Sequence, residues 1–281
     1  MTKMVKAIPA LLVLLVCSTA GTGRAAEPYD NVAMPQGSYF STYPLFRHAN
    51  RLMDKNGNPV ATDPDLELYQ NTFKYTYYDK TLLPKTISLC TMLPVSYMNL
   101  RGDHDGGIGD LALIAGYWFV DDPVAKTWFG ARLQTIVPIG SYDKGSKANL
   151  GGNVWQFRPV LYFAKQSGNL QMELTMKYSI YTTNTDTDTR QGHDVIVEGY
   201  AGWFLRPDLL LGWQLNGTFG QDKTVAGNRV VDSGGRIYQT GPSLFKNFGK
   251  GFSATVEALS DFAVHNSTEG YTVLARLSWK I

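Results

Sequence analysis

The stretch "NLQMELTMKYSIY", Asn169 to Tyr181, alternates without a break. Leu170, Met172, Leu174, Met176, Tyr178 and Ile180 are apolar, while Gln171, Glu173, Thr175, Lys177 and Ser179 between them are polar or charged. A period of two is that of an extended strand whose faces meet different surroundings. The run is also roughly twice the ~5–6 residues usual for a strand of a soluble sheet. A wall with lipid on one side and a polar interior on the other asks for this pattern over its whole thickness.

Other segments repeat it. Phe129, Ala131, Leu133, Val137 and Ile139 share a face opposite Arg132 and Gln134, and Trp155, Phe157, Leu161 and Phe163 share one opposite Gln156 and Arg158. Leu209, Leu211, Trp213, Leu215 and Phe219 form another apolar stripe, and Tyr271, Val273, Ala275, Leu277, Trp279 and Ile281 a last one, with Arg276 opposite. The periodicity predicts about twelve strands, over 36–50, 66–79, 85–99, 107–119, 127–141, 152–165, 169–182, 193–205, 208–221, 234–248, 251–263 and 270–281.

The breaks alternate in length. "KTLLP", "DDPVAK", "KQSG", "RPD" and "KNFGKG" are short; "RLMDKNGNPVATDPD", "RGDHDG", "SYDKGSKANLGG", "NTDTDTRQGH", "DKTVAGNRVVDSGG" and "HNSTEG" are longer and more polar. Short turns on one side and long loops on the other are the habit of outer-membrane barrels, whose short turns are periplasmic. The expected fold is therefore all-β: a transmembrane antiparallel up-and-down β-barrel of about twelve strands over residues 26–281, one chain closing one barrel as a monomer. An exported soluble β-sandwich also alternates, but it leaves the loop asymmetry without a reason.

Composition agrees. The 281 residues carry a net charge of +2, too balanced to point to nucleic acid, and they include 16 Tyr, 13 Phe, 6 Trp and 28 Gly, residues of strands, interfacial belts and tight turns. Residues 1–25 read as a signal peptide: Lys3 and Lys6, an apolar run from Ile8 to Val16, then the small-x-small pattern Gly23-Arg24-Ala25. Val16 is too large for a lipid-attachment motif at Cys17. Loss of the leader leaves Cys90 alone, so no intramolecular disulfide can form. After the leader no apolar run approaches the ~20 residues of a spanning helix.

In register, the inward set is Lys74, Asp110, Arg132, Gln134, Gln156, Arg158, Glu173, Lys177, Glu198, Gln214, Glu257, Asp261 and Arg276. Such residues either line a selective passage or pair across a narrow lumen as a structural network. The inward aromatics Trp118, Tyr162, Tyr181, Tyr200 and Phe204 could stack on a solute or belong to interfacial girdles.

Three other chemistries fit less well. His265, Asn266 and Ser267 hold the residue types of a barrel phospholipase, but three adjacent residues do not make a frame for nucleophile, base and orienting group. "RGDHDGGIGD", Arg101 to Asp110, lacks the spacing of a calcium loop, and "NTDTDT" reads as a polar loop. His48 and His193 stand singly, without ligand partners at metal-binding spacing.

Longer motifs carry a resemblance. Gly109-Asp110 opens a strand; Pro138, Gly140 and Tyr142 close the next; Asn149, Gly151, Asn153, Trp155, Phe157 and Pro159 follow at alternate positions; Gly241-Pro242 comes later. From about Met34 to Ile281 the chain resembles the outer-membrane family named for the meta-cleavage pathway of phenol degradation, also described as SphA-like transporters. That resemblance implies a barrel channel in the outer membrane for passive uptake of small hydrophobic or aromatic compounds, with no cofactor and no catalysis. Its last strand resembles the signal read by the barrel-assembly machinery, except that it ends on Ile281 where an aromatic is usual. Lipid, lipopolysaccharide, that machinery and a small solute are the implied partners. The alternative is a structural or adhesive barrel that transports nothing.

Overall fold

The computed structural model describes residues 28–60 and 63–281. The leader and its cleavage site lie outside them. Twelve long strands follow one another: β1 (Gly37–Met53), β2 (Leu66–Asp79), β3 (Ile87–Leu100), β4 (Leu111–Asp122), β5 (Thr127–Val137), β6 (Gln156–Ser167), β7 (Leu170–Tyr181), β8 (Asp194–Arg206), β9 (Leu209–Gly220), β10 (Arg236–Gly249), β11 (Phe252–His265) and β12 (Ser267–Lys280). Each pairs antiparallel with the next, and β12 returns to β1 with Tyr39 opposite Lys280, so the sheet closes into a barrel. Closure satisfies every wall strand on both edges, which a hydrocarbon surround demands.

The alternation sets the two faces. In β7, Leu174, Met176, Tyr178 and Ile180 are exposed on the outside, and Gln171, Glu173, Thr175, Lys177 and Ser179 are buried within. Leu161, Leu133, Leu211, Leu215 and Val256 continue the outer apolar band around the wall. Paired aromatics sit near its edges: Phe252 stacks on Trp279 at the short-turn end (ring centroids 5.3 Å apart), and Tyr238 meets Phe262 at a tilt at the other (5.5 Å). Such belts mark the two membrane–water interfaces.

Two of the six breaks expected to be long loops are tight hairpins. "RGDHDG" turns at Arg101 and Gly102, both with positive φ (57° and 75°), and Asp103–Ile108 then pairs with the upper half of β3, Asn99 opposite His104. In "HNSTEG" only Asn266 (φ 47°) separates β11 from β12. Gly and Asn tolerate the left-handed region, and a strand projecting into water can be polar on both faces, so polarity there does not signal a loop.

The other four outer connections, 54–65, 138–155, 182–193 and 221–235, are long. Those after β7 and β9 each form a short hairpin, and the two hairpins join edge to edge, Thr189 opposite Val225, as a small sheet over the mouth. The connection after β5 folds inward. Its Ala148 and Leu150 are buried against Ala49, Leu66, Leu68, Met98 and Leu100 at the top of the lumen.

Candidate functional site

The segment before β1 enters the barrel from the short-turn end. It carries no periodicity, and its backbone is held instead by side chains of the wall. Glu173 accepts the backbone N–H groups of Tyr29 (2.5 Å) and Asn31 (3.0 Å), and Thr175 Oγ1 accepts from Asn31 Nδ2 (3.0 Å). Trp118 Nε1 donates to Asn31 O (3.0 Å), and Arg276 to Pro28 O (2.5 Å). Lys74 (3.1 Å) and Arg132 (3.2 Å) both pair with the Asp30 carboxylate. Asn31 is fully buried. This plug, residues 28–36, thus answers three wall cations, Lys74, Arg132 and Arg276, and one wall carboxylate at once.

Above it the remaining inward residues pair mostly with their neighbours in the wall. Lys177 and Glu198 form an ion pair (2.8 Å) between β7 and β8; Arg158 Nε donates to Ser179 Oγ (2.9 Å); Tyr181 donates to Asp194 (2.5 Å). Ser243 Oγ donates to Glu257 Oε1 (3.4 Å), and Asp261 receives Arg47 (2.7 Å) and Gln239 (2.5 Å). Gln134, Gln156 and Gln214 are buried, each with at least one amide atom lacking a hydrogen-bond partner in the protein. Of the thirteen polar residues and five aromatics read as inward, all but Lys74 and Arg132 are buried, those two are half-buried against Asp30, and the plug inserts itself among the lower ones.

The inner tyrosines cover gaps in the wall. The Tyr162 ring occupies the space a Cβ at Gly130 would need, with the Arg132 guanidinium 4.4 Å from its centroid and Trp118 edge-on at 5.3 Å. Tyr200 lies over Gly202 and Gly212 in the same way. Phe204 joins Leu210, Phe245 and Tyr29 in an apolar cluster, Tyr29 and Phe245 being 5.0 Å apart. These rings are packed on glycines, on each other and on the plug.

At the mouth the motif residues form a clamp. Asp110 accepts the backbone N–H groups of Gly140 (2.9 Å) and Gly152 (2.8 Å), drawing both ends of the 138–155 connection onto the start of β4. The approach is so close that a Cβ on Gly140 would lie 2.7 Å from the Gly109 carbonyl carbon, and one on Gly151 2.8 Å from that of Gly140. Asn149 ties the same loop to itself through Asp143 and Ser146, and Asn153 donates to Asp186 of the next loop (2.8 Å). The acidic run "RGDHDGGIGD" serves this clamp too: Asp103 accepts from Ser146 Oγ (3.0 Å) and Lys147 N (2.6 Å), and Asp105 from Leu150 N (3.3 Å). Among the described residues no three His, Cys, Asp or Glu converge as metal ligands.

Two outer loops are fixed by carboxylates. The Asn58 backbone N–H, with that of Asn56, holds Asp54 below its usual range. For Asp222 partial burial pushes upward, but the N–H groups of Gly234 and Ser233 and the Arg229 guanidinium outweigh it and bring the pKa down. His265 Nδ1 meets Lys55 O (3.0 Å), Asn266 donates to Asp232 O and Gly234 O (2.9 Å each), and Ser267 Oγ has no partner, so the three do not engage one another.

The sequence motif of the family described as "Putative MetA-pathway of phenol degradation" matches residues 49–277. Among solved structures, the COG4313 outer membrane channel from Pseudomonas putida F1 superimposes with a TM-score of 0.84 at 20% identity, covering 91% of this chain and 99% of that one. The translocator domain of the autotransporter NalP from Neisseria meningitidis gives 0.51 at 10% identity, covering 95% and 93%. The CymD monoaromatic hydrocarbon channel gives 0.48 at 9% identity, covering 88% and 89%. At these identities the likeness is one of fold. No curated protein sequence matches.

Proposed function

The chain belongs to the family of the MetA-pathway of phenol degradation, and we propose on that premise that it is an outer-membrane channel for small hydrophobic or aromatic compounds, closed at rest by residues 28–36. Passage is passive, and neither cofactor nor covalent chemistry takes part. The supporting observation is the nature of the closure. Asp30, Asn31 and the backbone of residues 28–31 are held by Lys74, Trp118, Arg132, Glu173, Thr175 and Arg276 through polar contacts. A permanently filled barrel would gain as much or more from apolar side chains there, since buried ion pairs are seldom better than well-packed hydrophobes. Polar contacts can be exchanged for water at little net loss, which makes the closure reversible.

Lipopolysaccharide meets the outer loops, and the Tyr271 to Trp279 stripe serves the barrel-assembly machinery in this reading. The alternative, a barrel that conducts nothing, draws on the same dense filling. Swelling of proteoliposomes by small solutes separates the two: uptake above protein-free vesicles supports the channel, and none, with the plug intact or deleted, supports the structural barrel.

A further inference from the structure

Tyr29 differs from its neighbours in the plug. Asp30 and Asn31 are held by polar side chains of the wall, whereas the Tyr29 ring packs into an apolar part of it, against Tyr200, Phe204, Leu210 and Phe245, with its centroid 5.0 Å from that of Phe245. Its backbone also has a positive φ of 68°. That region is costly for a bulky side chain, and such a conformation persists only where the surroundings impose it.

The receiving surface is one row across three strands. Phe204 of β8 lies directly opposite Leu210 of β9, and Leu210 directly opposite Phe245 of β10. All three are buried. The next inward row toward the mouth is Gly202, Gly212 and Ser243, and the Tyr200 ring lies over its two glycines, so aromatic surface borders the site on that side too. Withdrawal of Tyr29 would leave apolar walls around a space the size of one ring.

Ring and latch belong to the same residue. The Tyr29 N–H donates to Glu173, which lies opposite Tyr200 on the adjacent strand. A ring pushed out of the row pulls on the N–H that the carboxylate holds, and the left-handed backbone relaxes as it leaves. Closure thus depends on a ring contact that a free aromatic molecule can reproduce without the strain of the chain.

We infer that Phe204, Leu210 and Phe245, with Tyr200 beside them, form a ring-binding site that Tyr29 fills in the closed channel, and that an aromatic solute arriving from the mouth takes the place of Tyr29 and releases the plug. The solute then opens its own channel. This rests on the channel reading above and adds its regulation. A ligand shifts an equilibrium only by preferring one state, and here the preference is steric: the site is full when the channel is closed and vacant when it is open.

The test uses p-cresol, which is the tyrosine side chain without its backbone, in planar-bilayer recordings of the full chain. Wild type, Tyr29→Leu and Tyr29→Ala are compared, with heat-modifiable gel mobility certifying that each barrel is folded. Competition predicts that p-cresol raises the open probability of the wild type along a saturating curve. The concentration for half-opening should fall about two- to tenfold in Tyr29→Leu, the factor that one aromatic pair carries, and further in Tyr29→Ala. Half-opening at the same concentration in the wild type and Tyr29→Leu overturns the exchange, because p-cresol then acts through the bilayer or elsewhere on the barrel. Wild-type gating that ignores p-cresol also overturns it and leaves the channel reading intact, which falls only if swelling of proteoliposomes shows no uptake.

Discussion

Replacing Glu173 by Gln should open the channel. In the structure this carboxylate receives the N–H groups of Tyr29 at 2.5 Å and Asn31 at 3.0 Å, with Gln171 Nε2 at 3.1 Å on the same oxygen as Tyr29. A hydrogen bond contributes about 0.5–1.5 kcal/mol net, and a buried donor left facing another donor costs about 1–3 kcal/mol. A glutamine keeps one acceptor oxygen and turns an NH2 group toward one of the two plug donors. The balance is about 1–4 kcal/mol against the closed state, or roughly 5- to 1,000-fold in the ratio of closed to open. Planar-bilayer recording reads this as a higher open probability at the same unit conductance. Asp30→Asn, which loosens Lys74 and Arg132 from the plug, should act in the same direction. If both variants gate like the wild type, the contacts of residues 28–31 do not control the passage.

Three further outcomes follow from other parts of the barrel. Leu174→Arg places a charge on the lipid face of β7, where Leu174 is half exposed, and should cost about 2–4 kcal/mol in urea unfolding from vesicles, whereas Leu174→Ile stays within about 0.5 kcal/mol; equal effects would reverse the assignment of inside and outside. Gly151→Ala drives a Cβ to 2.8 Å from the Gly140 carbonyl carbon, so the 138–155 connection should leave the mouth and become protease-sensitive in intact proteoliposomes, and unchanged resistance would refute the clamp. The depressed pKa values of Asp54 and Asp222 stabilise their loops fully above the ordinary aspartate range and lose that contribution as pH falls through the lowered folded-state values. Hydrogen exchange in these loops, corrected for intrinsic rate, should hold steady from neutral to mildly acid pH and rise only below the usual aspartate range; loosening between pH 7 and 5 would contradict the assignment.

The wall was legible because every strand must satisfy two solvents at once, and Leu174 beside Glu173 or Leu161 beside Tyr162 records that demand directly. The two hairpins at Arg101–Gly102 and Asn266 were not, because outside the membrane the demand lapses and a polar strand looks like a loop. The plug was illegible for a related reason: Tyr29 to Asn31 are held through backbone N–H and C=O groups, which every residue carries. Its signal lay in the wall, where Lys74 and Arg132 lack a carboxylate on an adjacent strand at their level. The glycine and asparagine motifs were visible as resemblance before their work was; only the packing of Gly140 between Gly109 and Gly151 shows why a side chain there would break the mouth.

The account turns on whether solutes travel the path that residues 28–36 occupy. Asn31 Nδ2 and Thr175 Oγ1 are 3.0 Å apart, so cysteines at those positions lie within reach of a short bis-methanethiosulfonate cross-linker, with Cys90→Ser removing the wall's own thiol. Solute uptake by proteoliposomes is then followed in one preparation, cross-linked and afterwards reduced. The account predicts that cross-linking abolishes uptake and reduction restores it; equal uptake with the segment locked and free would contradict it.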